Sequence, residues 1–296
     1  MKKINYSIVK SVRGLSHLKK NNPNEDSVSL TSLGNHTLIT AISDGHGSDA
    51  CFRSQTGSRF AVTVFENIFQ TSPVFNTTEE LQQFVEQVPA LVIKQWKELV
   101  ENDLRLYPYS LVEQSDECKA NPYLPYGCTL LGSCITPQYG IFIQIGDGDI
   151  FALFSEGHIS KLVADDERLT GQAVTSLCLP EAENDFRTSI YDFSKDSLDV
   201  IIMGTDGLGN SYGSDENLYA WATDIKAFIA QENGKELINE NLSVWLDEVS
   251  SNGSADDISM AIIVLDEASS LPVDSNKLEK KRFKKFVSKY IFNQTH

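Results

Sequence analysis

The 296-residue sequence has few cysteines, no surplus of basic residues and no long apolar run. Its five cysteines are widely spaced and form no Cys-x-x-Cys pair, which argues against a disulfide framework or a zinc site and favours buried free thiols. Lys and Arg number 25 against 41 Asp and Glu, so the formal net charge is −16. Such a charge argues against general binding to nucleic acid, whose phosphates require basic partners.

No stretch approaches the roughly 20 apolar residues that a membrane-spanning helix needs. The basic first residues are not followed by the apolar run of a secretory signal. We therefore expect a cytoplasmic protein without stable membrane insertion. Hydrophobic residues make up 41% of the chain, which is enough for the core of one large domain or two small ones.

The apolar pattern alternates between groups of short strands and pairs of helices. Strands are predicted between Ile4 and Ile42, in a meander from Cys128 to Leu162, and over Leu198 to Gly204 and Ile258 to Leu265. Helices are predicted over Ala50 to Phe69, Thr78 to Leu104, Glu216 to Ala230 and Lys235 to Val249. Hairpin-length links within the strand groups favour an α+β layered domain over a parallel doubly wound sheet.

Two segments depart from this pattern. Residues 105–127 contain prolines and polar clusters, which indicate an irregular insertion. The C-terminal tail, residues 271–296, is basic, and its apolar residues could line one face of a helix. Such a helix could dock on the acidic body of the same chain, or could contact a partner or a membrane surface.

Acidic residues recur at the ends of predicted buried strands. The segments are Glu25-Asp26, Asp44-Gly45-His46-Gly47, Gly146-Asp147-Gly148-Asp149, Gly204-Thr205-Asp206-Gly207 and Asp256-Asp257. A single Asp-Gly pair is also a common hairpin turn. Several carboxylates that converged without basic partners would repel one another unless they bound a metal, and hard oxygen ligands favour Mg²⁺ or Mn²⁺.

Taken in chain order, these motifs resemble those of the metal-dependent serine/threonine protein phosphatases, the type 2C-like family. The matching pieces are Asn24-Glu25-Asp26, Ser43-Asp44-Gly45-His46-Gly47, Gly127-Cys128-Thr129, Gly146-Asp147, Thr205-Asp206-Gly207-Leu208 and Asp256-Asp257-Ile258-Ser259. The resemblance implies an α+β four-layer sandwich, in which two central, mostly antiparallel β-sheets are flanked by helix pairs. Residues 1–270 would then form the catalytic domain.

The resemblance also implies a metal site that holds two Mg²⁺ or Mn²⁺ ions, or three. The implied ligands are Glu25, Asp44, Gly45, Asp147, Asp206 and Asp256. Asp44 would bridge two ions, Glu25 would act through water, and Asp147 matches the residue associated with a third, weaker ion in some members. Asp26 would organise the ligands around it.

The implied reaction is hydrolysis of phosphoserine or phosphothreonine in a protein substrate by a metal-bridging hydroxide. His46 matches a residue proposed as general acid for the leaving alkoxide, and the near-neutral reference pKa of histidine suits that task. A histidine in a glycine-rich turn can equally be structural.

The match fails at one position that bears on phosphate binding. Many family members have an Arg five residues before the Asp of the Asn-Glu-Asp motif, and here that residue is Asn21. We predict that Lys19, Lys20 and His17 supply positive charge instead, with Arg13 also nearby, although a lysine lacks the planar fork of arginine.

Two further points stay open in the sequence. Asp257 stands where the family usually has Asn, and the sequence leaves open whether its carboxylate is a ligand. The alternatives to an active phosphatase are a phosphatase-fold binding or regulatory module with weak or no turnover, and a Mg²⁺-dependent phosphodiesterase or nuclease on another fold. The acidic charge disfavours the last of these.

Overall fold

The structure, a computed structural model, describes residues 2–34, 36–166, 175–195 and 197–267. The strands are β1 Lys2–Val12, β2 Ser27–Leu33, β3 Thr37–Ser43, β4 Leu130–Ile135, β5 Tyr139–Ile145, β6 Asp149–Phe154, β7 Ile159–Lys161, β8 Arg187–Asp192, β9 Leu198–Gly204 and β10 Ile258–Glu267. The helices are α1 Leu15–Lys20, α2 Ser54–Gln70, α3 Thr78–Leu106, α4 Asp116–Ala120, α5 Asp206–Tyr212, α6 Asp215–Ile229 and α7 Gly234–Asn252. The predicted C-terminal tail lies outside the described residues.

The chain divides into two units, each with its own five-stranded sheet. The first unit comprises the described residues within 1–24, 148–161 and 192–296, and the second comprises those within 25–147 and 162–191. The first sheet has the strand order β1-β10-β9-β6-β7, and the second has β2-β3-β4-β5-β8. The neighbouring strands are antiparallel in the first sheet, as they are from β2 to β5 in the second.

The core of the first unit lies between its sheet and two amphipathic helices. β9 and β10 are almost entirely buried, which explains their near-continuous apolar sequence. Helix α7 contacts β1 and β10, and α6 contacts β6. Trp221 of α6, Leu242 of α7 and Ile262 of β10 belong to the same buried cluster. β9 and β10 pair directly beside this core, with Gly204 opposite Met260.

The core of the second unit lies under α2 and α3. Helix α2 contacts β2, β3 and β4, and α3 packs against α2. Phe65 and Trp96 are completely buried there, and the Trp96 indole N–H donates a hydrogen bond to the Gly57 carbonyl at 2.9 Å. A buried indole therefore both fills the core and satisfies its polar group.

These observations confirm the predicted α+β fold with two mostly antiparallel sheets and flanking helices. The short helix α1 was not predicted, and α2 begins at Ser54 rather than Ala50 because Asp49–Cys51 forms a single 3₁₀ turn. The insertion after α3 contains α4 and a 3₁₀ turn at Leu124–Tyr126. None of the helices in the described ranges combines the length and apolar character needed to cross a membrane.

Candidate active site

Acidic residues gather at the edge of the first sheet where β9 ends and β10 begins. Asp206 is the first residue of α5 and comes soon after β9, while Asp256 stands two residues before β10. Because Gly204 lies opposite Met260 in an antiparallel pair, both carboxylates are placed at the same edge. We call the following residues the first edge: Gly14, His17, Asp206, Asp256 and Asp257.

Asp206 and Asp256 interact electrostatically at the first edge. Burial, together with the charge of Asp206, raises the pKa of Asp256. Asp206 Oδ2 accepts a hydrogen bond from Asn210 at 3.0 Å, whereas its Oδ1 is buried without a hydrogen-bond partner in the described part of the chain. Two carboxylates in this state fit a cation, which would relieve their repulsion and satisfy the buried oxygen.

The described side chains do not by themselves form a complete set of metal ligands. Among the residues that the structure describes, no group of three or more His, Cys, Asp or Glu side chains is arranged to hold an ion. The fit to a divalent cation therefore rests on the Asp206 and Asp256 pair. Its all-oxygen chemistry favours Mg²⁺ or Mn²⁺ over zinc.

The neighbouring Asp257 is tied to the protein through both carboxylate oxygens. Oδ1 accepts a hydrogen bond from the Gly14 backbone N–H at 2.6 Å, and Oδ2 lies 2.8 Å from His17 Nδ1. An ionised carboxylate only accepts hydrogen bonds, so Nδ1 of His17 is the donor. Asp257 and His17 are 3% and 6% exposed. Each oxygen of Asp257 therefore has a partner within the protein, and the carboxylate is almost entirely removed from solvent.

Helix α1 carries the cations predicted to bind phosphate. Lys19 and Lys20 are exposed in its last turn, and Asn21 ends the helix in the left-handed conformation with φ of 59°. An asparagine is one of the few residues that adopt this conformation readily. Arg13, at the start of the segment, donates a hydrogen bond from its guanidinium to the His17 carbonyl at 3.2 Å.

The edge of the second sheet collects the other predicted residues. Glu25 and Asp26 precede β2, and Asp44, Gly45 and His46 follow β3. Ser27 lies opposite Ser43, so the two segments meet at one edge of this sheet. Asp147 follows β5, whose Ile145 lies opposite Leu130 of β4. We call these residues the second edge: Glu25, Asp26, Asp44, Gly45, His46, Gly127, Thr129 and Asp147.

The turn from Asp44 to His46 is held mainly by backbone hydrogen bonds. The Asp44 N–H donates to Thr129 Oγ1 at 3.0 Å, and the Thr129 N–H donates to the Asp44 carbonyl at 2.8 Å. The His46 N–H donates to the Gly127 carbonyl at 3.1 Å. A Cβ at Gly45 would lie 2.5 Å from the Glu25 carbonyl oxygen, so only glycine allows this approach.

The segment before Asp147 has partners that sequence reasoning missed. Gly146 has φ of +103°, and its N–H donates to Thr175 Oγ1 at 2.9 Å. Its carbonyl accepts a hydrogen bond from the Arg187 guanidinium, which also donates to the Ala164 carbonyl at 2.9 Å. The signal available in the sequence was the Gly-Asp-Gly-Asp run itself, which indicates a turn with positive φ but not its distant partners.

All five cysteines are buried free thiols, as their spacing predicted, and all five belong to the second unit. Burial raises the pKa of Cys51, Cys128 and Cys178, of which Cys51 and Cys178 lie close to Gly127. Neutral thiols are poor nucleophiles, so the cysteines near His46 do not suggest thiol catalysis.

Comparison with solved structures places the fold among phosphatases. A bacterial serine phosphatase matches at 15% identity with a TM-score of 0.58, over 90% of this chain and 100% of that chain. Serine/threonine phosphatase Stp1 from Staphylococcus aureus matches at 14% identity with a TM-score of 0.57, over 90% of this chain and 98% of that one. The catalytic domain of serine/threonine protein phosphatase PstP, solved with two manganese ions, matches at 15% identity with a TM-score of 0.56, over 90% and 100%.

These likenesses show a fold shared with serine/threonine phosphatases. A family model described as protein phosphatase 2C matches residues 13–247, which is most of the chain. The chain therefore belongs to the protein phosphatase 2C family. No curated protein matches it significantly.

Proposed function

We propose that this chain is a cytoplasmic phosphatase that removes phosphate from phosphoserine or phosphothreonine in protein substrates with the help of Mg²⁺ or Mn²⁺. Family membership supports the reaction class. The single observation that carries the metal requirement is the pair Asp206 and Asp256, whose repulsion and buried oxygen call for a cation.

The proposed metal ligands are those named by the resemblance. At the first edge they are Asp206 and Asp256, and at the second edge they are Glu25, Asp44, Gly45 and Asp147. Asp26, which is 7% exposed, would organise the segment beside Glu25. A bound divalent ion would lower the pKa of water and offset the charge of the phosphoryl oxygens.

His46 is the proposed proton donor to the leaving serine or threonine oxygen. Its backbone is fixed by the hydrogen bond to Gly127, and the absence of a side chain at Gly127 leaves room for the imidazole ring. A histidine placed in this way can hold a proton near neutral pH and release it as the alkoxide departs. Lys19 and Lys20, which are exposed on α1, are proposed to attract the phosphate.

The test is Mn²⁺-dependent hydrolysis of a phosphoserine peptide by wild type, Asp206→Asn and Asp44→Asn. The hydrolysis rate of each variant should fall by at least about 100-fold. Removal of a group that only orients a metal ligand already costs up to about 100-fold, and removal of a ligand should cost no less. The matched control is Asp199→Asn near the start of β9, which removes an ion pair with Lys226 at 2.7 Å and leaves both edges intact. Equal rates in wild type and Asp206→Asn would refute the metal role of Asp206.

The absence of an arginine at Asn21 favours one alternative, a binding or regulatory module with weak turnover. Such a module would bind the phosphopeptide tightly without measurable hydrolysis at saturating Mn²⁺. A diesterase would instead hydrolyse bis(p-nitrophenyl) phosphate faster than p-nitrophenyl phosphate. Either outcome would contradict the proposed hydrolysis of phosphoserine or phosphothreonine.

A further inference from the structure

Helix α1 is docked on the segment that leads into β10. β1 pairs with β10 so that Val12 lies opposite Ile258, and the helix therefore begins beside residues 255–257. The Ser16 N–H donates to the Ala255 carbonyl at 2.8 Å. A Cβ at Gly14 would lie 2.2 Å from the carbonyl carbon of Asp256, so the approach requires glycine. The Asp256 backbone is thus packed directly against the start of α1.

A chain of hydrogen bonds connects α1 to the Asp256 carboxylate. His17 and the Gly14 N–H both hold the Asp257 side chain, at 2.8 and 2.6 Å. The Asp257 backbone N–H in turn donates to Asp256 Oδ1 at 2.9 Å. Hydrogen bonds to an ionised group are roughly twice as strong as neutral ones. The side chain of Asp257 therefore fixes the peptide that orients Asp256.

We propose that His17 and Asp257 are positioning residues, which hold the Asp256 carboxylate in the orientation needed to bind a divalent cation with Asp206. The role assigned to Asp257 is to orient Asp256, because each of its oxygens is already held within the protein, by the Gly14 N–H and by His17. His17 would influence the cation only indirectly, through Asp257. This role replaces the phosphate contact that the sequence predicted for His17. This inference rests on the proposed metal-dependent function.

If His17 and Asp257 position Asp256, their removal changes a different property from the one it would change if they only stabilised the fold. Removal of a structural pair would lower the stability of the metal-free protein and leave the affinity of the folded protein for the ion unaltered. Removal of a positioning pair would weaken ion binding in molecules that are folded. The loss of partners that orient a metal ligand typically lowers metal affinity by about 10- to 100-fold.

The experiment measures Mn²⁺ binding directly, by electron paramagnetic resonance of the free ion, in the full chain. His17→Ala should bind Mn²⁺ about 10- to 100-fold more weakly than wild type. His17→Asn should recover most of the affinity, because the asparagine amide places a donor close to where Nδ1 stood. Asp257→Ala should resemble His17→Ala, and Asp199→Asn should bind like wild type. Circular dichroism at the assay temperature establishes that each variant is folded.

The same variants separate this inference from the proposed function. If wild type binds Mn²⁺ and hydrolyses the phosphopeptide while His17→Ala binds with unchanged affinity, the positioning role is refuted and the phosphatase assignment stands. If wild type binds no Mn²⁺, both are refuted. If Asp257→Ala does not fold, the two His17 variants decide. Recovery of kcat in His17→Ala at saturating Mn²⁺, with a raised Mn²⁺ requirement, would support the inference further.

Discussion

The two sheet edges hold their acidic residues in different ways. At the first edge, Asp256 is oriented by a relay that depends on two buried polar side chains, His17 and Asp257. At the second edge, the turn from Asp44 to His46 is fixed by backbone groups, one threonine hydroxyl and the missing side chain of Gly127. The first edge should therefore be sensitive to the loss of hydrogen-bonding side chains, and the second to the gain of atoms.

The comparison also concerns chemistry. The first edge offers carboxylates whose mutual repulsion suits a cation, whereas the second edge also carries the imidazole of His46, which lies next to Gly127. A proton donor is needed only when the leaving group is a poor one. The second edge should thus be the part of the protein where the choice of leaving group matters.

The largest expected effect comes from His46→Ala. The rate on a phosphoserine peptide should fall by about 100-fold or more, the lower end of the range for general acid catalysis. The rate on p-nitrophenyl phosphate should change much less, because the phenolate leaves without a proton. Steady-state kinetics with both substrates measure the ratio. His158→Ala is the control, since that ring stacks on Phe154 at 4.1 Å within the first unit. An equal loss on both substrates would mean that His46 has a structural role only.

Gly127→Ala tests the gain of atoms at the second edge. The new Cβ would lie 2.8 Å from the His46 ring carbon Cδ2 and 3.0 Å from Cys51 Sγ. Overpacking of this kind costs about 1–3 kcal/mol of unfolding free energy. The variant should also show the substrate ratio of His46→Ala, because the ring must move.

The control for Gly127→Ala is Gly34→Ala. A Cβ at Gly34 would meet no atom within 4 Å, so urea denaturation should show a change within about 0.5 kcal/mol. If Gly127→Ala matched this control in stability and kept wild-type rates, the packing account of the second edge would be wrong.

Much of the fold follows from local patterns in the sequence. The strands β9 and β10 and the helices α6 and α7 were predicted within a few residues, because each buries one continuous apolar run or stripe. Helix α1 was missed. It has six residues, and no side chain caps its N-terminus at Gly14. Its support comes from Asp257, about 240 residues away along the chain, which no local pattern reveals.

The candidate site was predictable only in part for the same reason. Asp-Gly motifs at strand ends mark Asp44 and Asp206, because a strand end and a glycine are both visible in the sequence. The partners that orient these residues are not visible. Thr129 and His17 act through contacts at long sequence separation, and a histidine near a lysine pair suggests phosphate binding before it suggests a buried hydrogen bond.

Thr129→Val sharpens the comparison by removing a side-chain hydrogen bond from the edge that otherwise depends on backbone groups. Thr129 is 1% exposed, and its hydroxyl accepts the Asp44 N–H. Valine has nearly the same shape but leaves that donor without its acceptor, which costs about 1–3 kcal/mol. Urea denaturation in the absence of metal measures the loss. Thr129→Ser keeps the hydroxyl and should be more stable than Thr129→Val, and the reverse order would contradict this account.

The smallest expected effect is a loss of stability at alkaline pH that originates in the second unit. All five cysteines belong to that unit. Burial raises the pKa of Cys134 to about 12, whereas a thiol in an unfolded chain ionises near 8.5. Above about pH 8.5 the unfolded chain therefore releases a proton that the folded chain retains, and the stability of the fold declines up to about pH 12. At pH 9.5 this thiol should cost about 1 kcal/mol of unfolding free energy relative to pH 7. Cys134→Ala should show a smaller decline between these two pH values in urea denaturation, and an identical decline would show that this thiol does not limit alkaline stability.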